Sequence, residues 1–168
     1  IYEKNIEKII YTSSSAVYGL DKNDFTFKRR SVRDLYASFK IANEEMLKNF
    51  CNKKKIKLII ARVFNIYGEK DTFSIISKLV NKNSRNNKKI QIYNNGNSIR
   101  DFIHIDDLIK YYIDLLRSNK SGIYDIGTGF GIKISEIIKE FKLEKKITFA
   151  KKKIDEIQVS IASAFLKN

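Results

Sequence analysis

The chain has 168 residues, 43% hydrophobic and 31% charged, with a net charge of +14 at pH 7; that suffices for one domain or one and a half, burying roughly two-thirds of the unfolded surface. A single cysteine (Cys51) and a single histidine rule out a disulfide scaffold and a zinc site built from three or four His and Cys ligands, and no apolar run reaches the ~18 residues of a membrane span. Ile1-Tyr2-Glu3-Lys4 lacks the layout of a signal peptide, and the charge travels with 28 Ile, 26 Lys, 15 Asn and no proline, the signature of AT-rich codons more than of a nucleic-acid surface.

Lys8-Ile9-Ile10-Tyr11-Thr12 is a short apolar run stopping at serines, the pattern of a buried parallel strand. A helix is predicted from Asp34 to Cys51, with Leu35, Phe39, Ala42, Met46, Leu47 and Phe50 at near-helical spacing. Lys57 to Phe64 is a second buried strand, its apolar run ending at Asn65-Ile66-Tyr67-Gly68. Strand, long helix and strand form a βαβ unit, so the fold class is α/β. Further on come a helix over Phe73–Val80, a polar loop over Ser84–Lys89, a short strand over Ile90–Tyr93 and a turn at Asn94–Asn97. A helix over Asp106–Arg117, a strand over Ile123–Ile126 and a helix over Ile134–Phe141 complete the series. Gly127-Thr128-Gly129-Phe130-Gly131 lacks the G-x-G-x-x-G spacing of a dinucleotide fingerprint and reads as a turn. The basic runs at Lys53–Lys55, Arg85–Lys89 and Lys151–Lys153 are scattered and read as solvated faces.

Three features point to chemistry. Thr12-Ser13-Ser14-Ser15-Ala16-Val17-Tyr18-Gly19 puts hydroxyls at the carboxyl end of a strand, where open α/β sheets bind ligands. Tyr36 and Lys40, four residues apart, share one helix face. Arg62 to Gly68 brings polar groups to the same edge. A tyrosine of ordinary pKa near 10 is a poor base at pH 7. A lysine ammonium at ~4 Å supplies up to ~4 kcal/mol at an effective dielectric near 20, about three pKa units. A neighbouring serine can then hold a substrate oxygen and relay its proton.

With these residues in this order, the chain resembles the NAD-dependent epimerase/dehydratase family of extended short-chain dehydrogenases, most of all its UDP-sugar 4-epimerases. The markers are SSSAVYG (13–19), YASFK (36–40), ARVFNIYG (61–68), RDFIHIDDL (100–108) and YDIGTG (124–129). The resemblance implies the C-terminal part of a Rossmann-type doubly wound parallel sheet over residues 1–68. It implies a smaller α/β nucleotide-sugar-binding domain over 69–168, truncated at its end, with helix 106–117 packing back on the Rossmann part. By the same resemblance Ser14, Tyr36 and Lys40 are catalytic, and Ser13, Tyr36 and Lys40 bind the cofactor NAD. Ser14, Ser15, Asn65, Tyr93, Arg100, Lys153 and Ser160 bind a UDP-sugar substrate. Asn65 matches the asparagine at the diphosphate, Arg100 the arginine that neutralises it, and Tyr93 a position beside the uracil. Asp101, His104 and Asp107 are taken as structural hydrogen-bonding residues.

Where the dehydratase branch carries an Asp-Glu pair after the serine, this chain has Ser15-Ala16, which favours an epimerase. Lys153 stands where the family has a second diphosphate arginine, keeping the charge without the bidentate fork. Ser160 replaces a bulky residue that narrows the sugar pocket, which points to N-acetylated sugars. The family opens with a Gly-rich turn and several βα units, none of which precedes Ile1, so roughly 100 residues are expected to be absent and the chain alone is expected to be inactive. The resemblance further implies a cytoplasmic homodimer packed through the Tyr36 helix, with neither nucleic-acid nor membrane partners. Two other readings stand beside the epimerase: a nucleotide-sugar 4,6-dehydratase, uronate decarboxylase or reductase on the same scaffold, and a non-catalytic basic module whose nucleic-acid binding would be steeply salt-sensitive.

Overall fold

Three parallel strands carry the edge on which the motifs converge. The computed structural model describes residues 6–19, 32–68, 71–80, 90–142, 147–150 and 157–163. Strand β1 (Lys8–Ser14) pairs with β2 (Lys57–Val63), which pairs with β6 (Gly122–Ile126), in the order β1-β2-β6. Helix α1 (Val32–Lys54) is the β1–β2 crossover. It ends where Lys55 takes a left-handed φ of 56° and Ile56 N–H returns to the carbonyl of Cys51, a turn that closes the last carbonyls.

β2 is buried on both faces, with Ile59, Ile60 and Ala61 all shielded, as expected of a parallel strand covered by helices. Each buried isoleucine contributes ~1.5–3 kcal/mol. Alternation sorts the two faces. Ile59, Ala61 and Val63 join Ile126, Ile103, Leu108 and Leu115 in one core, placing α3 (Ile105–Arg117) on that side of the sheet. Thr12 and Tyr112 share a 2.8 Å hydrogen bond between β1 and α3. Lys8, at the start of β1, closes the far end of α3: its ammonium donates to the carbonyls of Leu115 at 3.0 Å, Leu116 at 3.1 Å and Ser118. A cation there meets the negative end of the helix dipole.

β3 (Asn65–Tyr67) pairs in parallel with β5 (Ile99–His104), which sequence periodicity did not indicate as a strand. Opposite β3, β5 takes β7 (Gly131–Lys133) antiparallel, and across from β7 its first residues pair in parallel with β9 (Val159–Ser160), setting Arg100 opposite Ser160. A second core of Leu79, Ile92, Ile134, Ile137, Ile138 and Ile147 gathers α2 (Ile75–Val80), α4 (Ile134–Glu140) and the pair of β4 (Ile90–Ile92) with β8 (Ile147–Phe149). α2 starts at Ile75 instead of Phe73, because the Asp71 carboxylate accepts the N–H groups of Phe73 at 2.8 Å and Ser74 at 3.1 Å and holds a bend ahead of the helix. β6 and α3 lie beyond residue 68 in sequence, yet both build the first sheet and its core.

Asp101 is fully buried in β5 and ties the loops above it. Its carboxylate accepts the N–H and hydroxyl of Thr128, at 2.9 and 2.6 Å, and the N–H groups of Gly129 at 2.9 Å and Ala162 at 3.1 Å. Gly127 to Phe130 is therefore a turn wrapped on a carboxylate. His104 caps α3, its Nδ1 accepting the N–H of Asp106 at 3.3 Å, and Asp107 pairs with Lys110 at 2.8 Å. Among the described residues, no helix is long and apolar enough to cross a membrane and no group of three or more His, Cys, Asp or Glu gathers as metal ligands.

Candidate active site

β1 ends at Ser14, whose Oγ accepts the N–H of Ala16 at 3.2 Å and opens a 3₁₀ turn over Ser15–Tyr18. Gly19 closes that turn at φ 69°, a backbone angle that favours glycine. The turn packs against α1, which carries Tyr36 and Lys40 on the face towards β1. Tyr36 is 50% exposed. The Lys40 ammonium donates to the Thr12 carbonyl at 2.9 Å and lies 5.2 Å from the ring centre of Tyr11 and 5.7 Å from that of Tyr36. A cation over two aromatic faces is attracted by both quadrupoles. The sheet edge thus presents an accessible phenol, an adjacent ammonium and a serine hydroxyl.

A buried polar row runs beneath this edge. Glu44 lies four residues after Lys40 and eight after Tyr36, and is 1% exposed. It accepts the Ser13 hydroxyl at 2.5 Å and both Nε (3.1 Å) and Nη2 (2.7 Å) of Arg62. The guanidinium in turn lies 4.9 Å from the Tyr18 ring centre, and the Tyr18 hydroxyl donates to Asp125 Oδ1 at 2.5 Å. The sheet register explains the row, because Ser13, Arg62 and Asp125 are lateral neighbours on one face of β1, β2 and β6. Burial, then the Asp125 hydrogen bond, pushes the Tyr18 phenol above its usual pKa. Burial alone would lower Arg62, but its bonds to Glu44 and Tyr18 outweigh that and hold it above the ordinary arginine range.

Ser13, expected at the cofactor, points its side chain inward, with its hydroxyl committed to Glu44. Ser14 faces the other way because successive strand residues alternate. Glu44 and Asp125 were not among the candidate residues. The available signal for Glu44 was its place four residues after Lys40 and eight after Tyr36, on the helix stripe they share.

Beside the turn is an open cleft lined by Ser15, Tyr18 and Gly19, by Phe64, and by Ile157, Val159, Ser160 and Ile161. The structure therefore brings Ser15 and Ser160 together, with Arg100 across from Ser160 in the sheet and its Nη1 donating to the Ile99 carbonyl at 2.8 Å. Asn65 follows Phe64 and donates Nδ2 to the Asp101 carbonyl at 2.9 Å. Tyr93 does not line the cleft. Its hydroxyl donates to Gln91 at 3.3 Å, and its neighbour Asn94 donates to Gln158 at 2.6 Å, joining that turn to the segment bearing Ser160. Lys153 lies outside the described residues.

A profile of the NAD dependent epimerase/dehydratase family matches residues 1–127. Human dTDP-D-glucose 4,6-dehydratase is 32% identical over 147 residues, covering 83% of this chain and 41% of the human protein. The dTDP-4-dehydro-6-deoxyglucose reductase of Escherichia coli is 32% identical over 155 residues, covering 87% of this chain and 49% of its own length. Among solved structures, UDP-glucuronic acid 4-epimerase from Bacillus cereus, in complex with UDP-glucuronic acid and NAD, gives a TM-score of 0.78 at 23% identity, over 96% of this chain and 54% of that one. UDP-glucose 4-epimerase from Thermotoga maritima with UDP-glucose gives 0.77 at 19% identity, over 95% and 55%. These structures establish a Rossmann-like α/β fold, and the chain spans about half the length of the curated relatives it matches. With the profile covering well over half of its residues, the chain belongs to the NAD dependent epimerase/dehydratase family.

Proposed function

We propose that the protein is an NAD-dependent nucleotide-sugar 4-epimerase acting on UDP-glucose/UDP-galactose or UDP-GlcNAc/UDP-GalNAc. The observation that carries the reading is the half-exposed Tyr36 with the Lys40 ammonium beside it, at the carboxyl edge of β1 where Ser14 ends the strand. These groups fit the ribose end of a dinucleotide: an ammonium has three N–H donors, of which one goes to Thr12, and a phenol both donates and accepts. NAD, when bound, supplies the acceptor and then the donor of the sugar C4 hydride. Tyr36 takes the proton of the C4 hydroxyl and later returns it, Lys40 keeps positive charge beside the ionising phenol, and Ser14 holds the substrate oxygen. Reduction of the turned-over keto sugar from its other face leaves no net redox change.

The cleft is read as the place of the sugar, with Ser15 and Ser160 on its lining, Arg100 and Asn65 at the diphosphate and Tyr93 towards the base; Lys153 keeps its proposed diphosphate role from the sequence. Residues 1–68 are read as the cofactor side and 69–168 as the sugar side, with β6 and α3 returning to the first sheet. α1 exposes Leu35, Phe39, Met46 and Phe50 along one face, which supports a homodimer packed through that helix.

A 4,6-dehydratase is the second reading, favoured by the identity to the human enzyme. Against it, no described residue lining the cleft is a carboxylate, and the 3₁₀ turn carries Ser15-Ala16 where water elimination needs an acid and a base. The test is product analysis by NMR after incubation with NAD and UDP-glucose, UDP-GlcNAc or dTDP-glucose. The C4 epimer of a UDP-sugar is expected, and a 4-keto-6-deoxy sugar would overturn the reading.

A further inference from the structure

The two walls of the cleft are tied to a single carboxylate. Asp125, 6% exposed in β6, accepts the Tyr18 hydroxyl on Oδ1 at 2.5 Å. Its Oδ2 accepts the Ser163 hydroxyl at 2.7 Å and the Ser163 N–H at 3.4 Å. Tyr18 belongs to the 3₁₀ turn that lines one side, while Ser163 follows Ser160 and Ile161 on the other. Each wall also has its own fastening. Gly19 N–H closes the turn on Ala16, and on the far side β9 pairs with β5 and Ala162 N–H reaches Asp101. Asp125 joins the two, from a strand whose backbone is fixed by pairing with β2.

We propose that Asp125 is a positioning residue that sets the separation of the two cleft walls and thereby the bulk admitted beside Ser160. This rests on the cleft being the sugar site. A carboxylate can serve both walls because each oxygen only accepts, and the Ser163 backbone N–H needs an acceptor that an amide nitrogen cannot supply.

The test compares Asp125→Ala, Tyr18→Phe and Ser163→Ala by amide hydrogen exchange, and by kcat and KM on UDP-glucose and UDP-GlcNAc. Asp125→Ala removes the acceptor from both walls and should speed exchange about tenfold in both 15–19 and 157–163, with the β1–β2 amides unchanged. Tyr18→Phe should loosen only 15–19 and Ser163→Ala only 157–163, and neither replacement enlarges a core residue. KM should rise about fivefold with a changed preference between the two sugars, while kcat falls less than twofold. Equal acceleration everywhere, no acceleration in either segment, or a fall in kcat at constant KM and constant preference would each overturn the proposal. If the full-length enzyme, assayed with NAD, neither binds nor turns over a UDP-sugar, the epimerase reading fails and the claim on substrate bulk with it, while the exchange pattern still decides whether Asp125 couples the walls.

Discussion

Replacing Glu44 by alanine strips three hydrogen bonds from the interior at once, those from Ser13 and from Nε and Nη2 of Arg62. The Glu44 side chain is 2% exposed and that of Arg62 17%, so the guanidinium left behind cannot be rehydrated without opening the α1–sheet interface. Removing one partner of such a buried pair costs about 3–5 kcal/mol. At ~2–4 °C per kcal/mol for a domain of this size, the melting temperature should fall by roughly 6–20 °C. Removing both charges with the double variant Glu44→Met/Arg62→Met relieves the stranded cation and should lie within ~1 kcal/mol of wild type. Urea unfolding at pH 7 of the wild type, Glu44→Met, Arg62→Met and the double gives the cycle, with Glu44→Ala measured beside it. A Glu44→Ala cost below ~1 kcal/mol, or a double variant as unstable as the sum of the singles, would refute the claim that the pair is a buried, mutually dependent unit.

Tyr36→Phe should lower kcat by about 10²–10⁴ with unchanged urea stability, because the residue is half-exposed and its proposed role is proton transfer; steady-state kinetics of the full-length enzyme on the UDP-sugar decides. Ser160→Tyr should abolish turnover of UDP-GlcNAc and spare UDP-glucose, and unchanged selectivity would remove Ser160 from the sugar pocket. The hydroxyls of Ser74 and Ser77 and the N–H groups of Phe73 and Ser74 hold the Asp71 carboxyl well below the usual carboxylate range. A depressed folded-state pKa stabilises above the ordinary value near 3.9 and ceases to do so as pH falls through the folded value. The stability gap between wild type and Asp71→Asn should therefore be open at pH 7 and close in strong acid; a gap independent of pH would contradict this. Gly127→Ala would place its Cβ 2.5 Å from Asp101 Oδ2 and 2.7 Å from the Ala162 Cβ, and should cost about 1–3 kcal/mol in urea unfolding by overpacking.

The elements legible in sequence are those whose burial is periodic. β1 and β2 show as apolar runs, and α3 shows because Leu108, Tyr111, Tyr112 and Leu115 recur on one face. β5 escaped notice because one of its two fully buried residues, Asp101, is charged, and the burial of that carboxylate depends on donors from Thr128, Gly129 and Ala162 far along the chain. β7, β8 and β9 are two or three residues long, too short for any period to register. At the site, Tyr36 and Lys40 were visible through their spacing on one helix, and Ser14 through its place at a strand end. Glu44 and Asp125 were not, since a buried carboxylate makes sense only once its partners on other strands are known. The inward turn of Ser13 follows from strand alternation once the register of β1 is set.

The clasp between Lys8 and the end of α3 has a consequence for how the chain is made. Its ammonium meets carbonyls more than a hundred positions downstream, so the clasp closes only after Ser118 has left the ribosome. β1 and β2 are synthesised well before that, and at ~5–20 residues per second the interval is several seconds. Throughout it, Ile59, Ala61 and Val63 have no α3 against which to bury one face of the sheet. The nascent chain passes through a stage in which its most apolar strand is half covered, and the ribosome-bound sheet is the species on which a chaperone that binds exposed aliphatic strands would act.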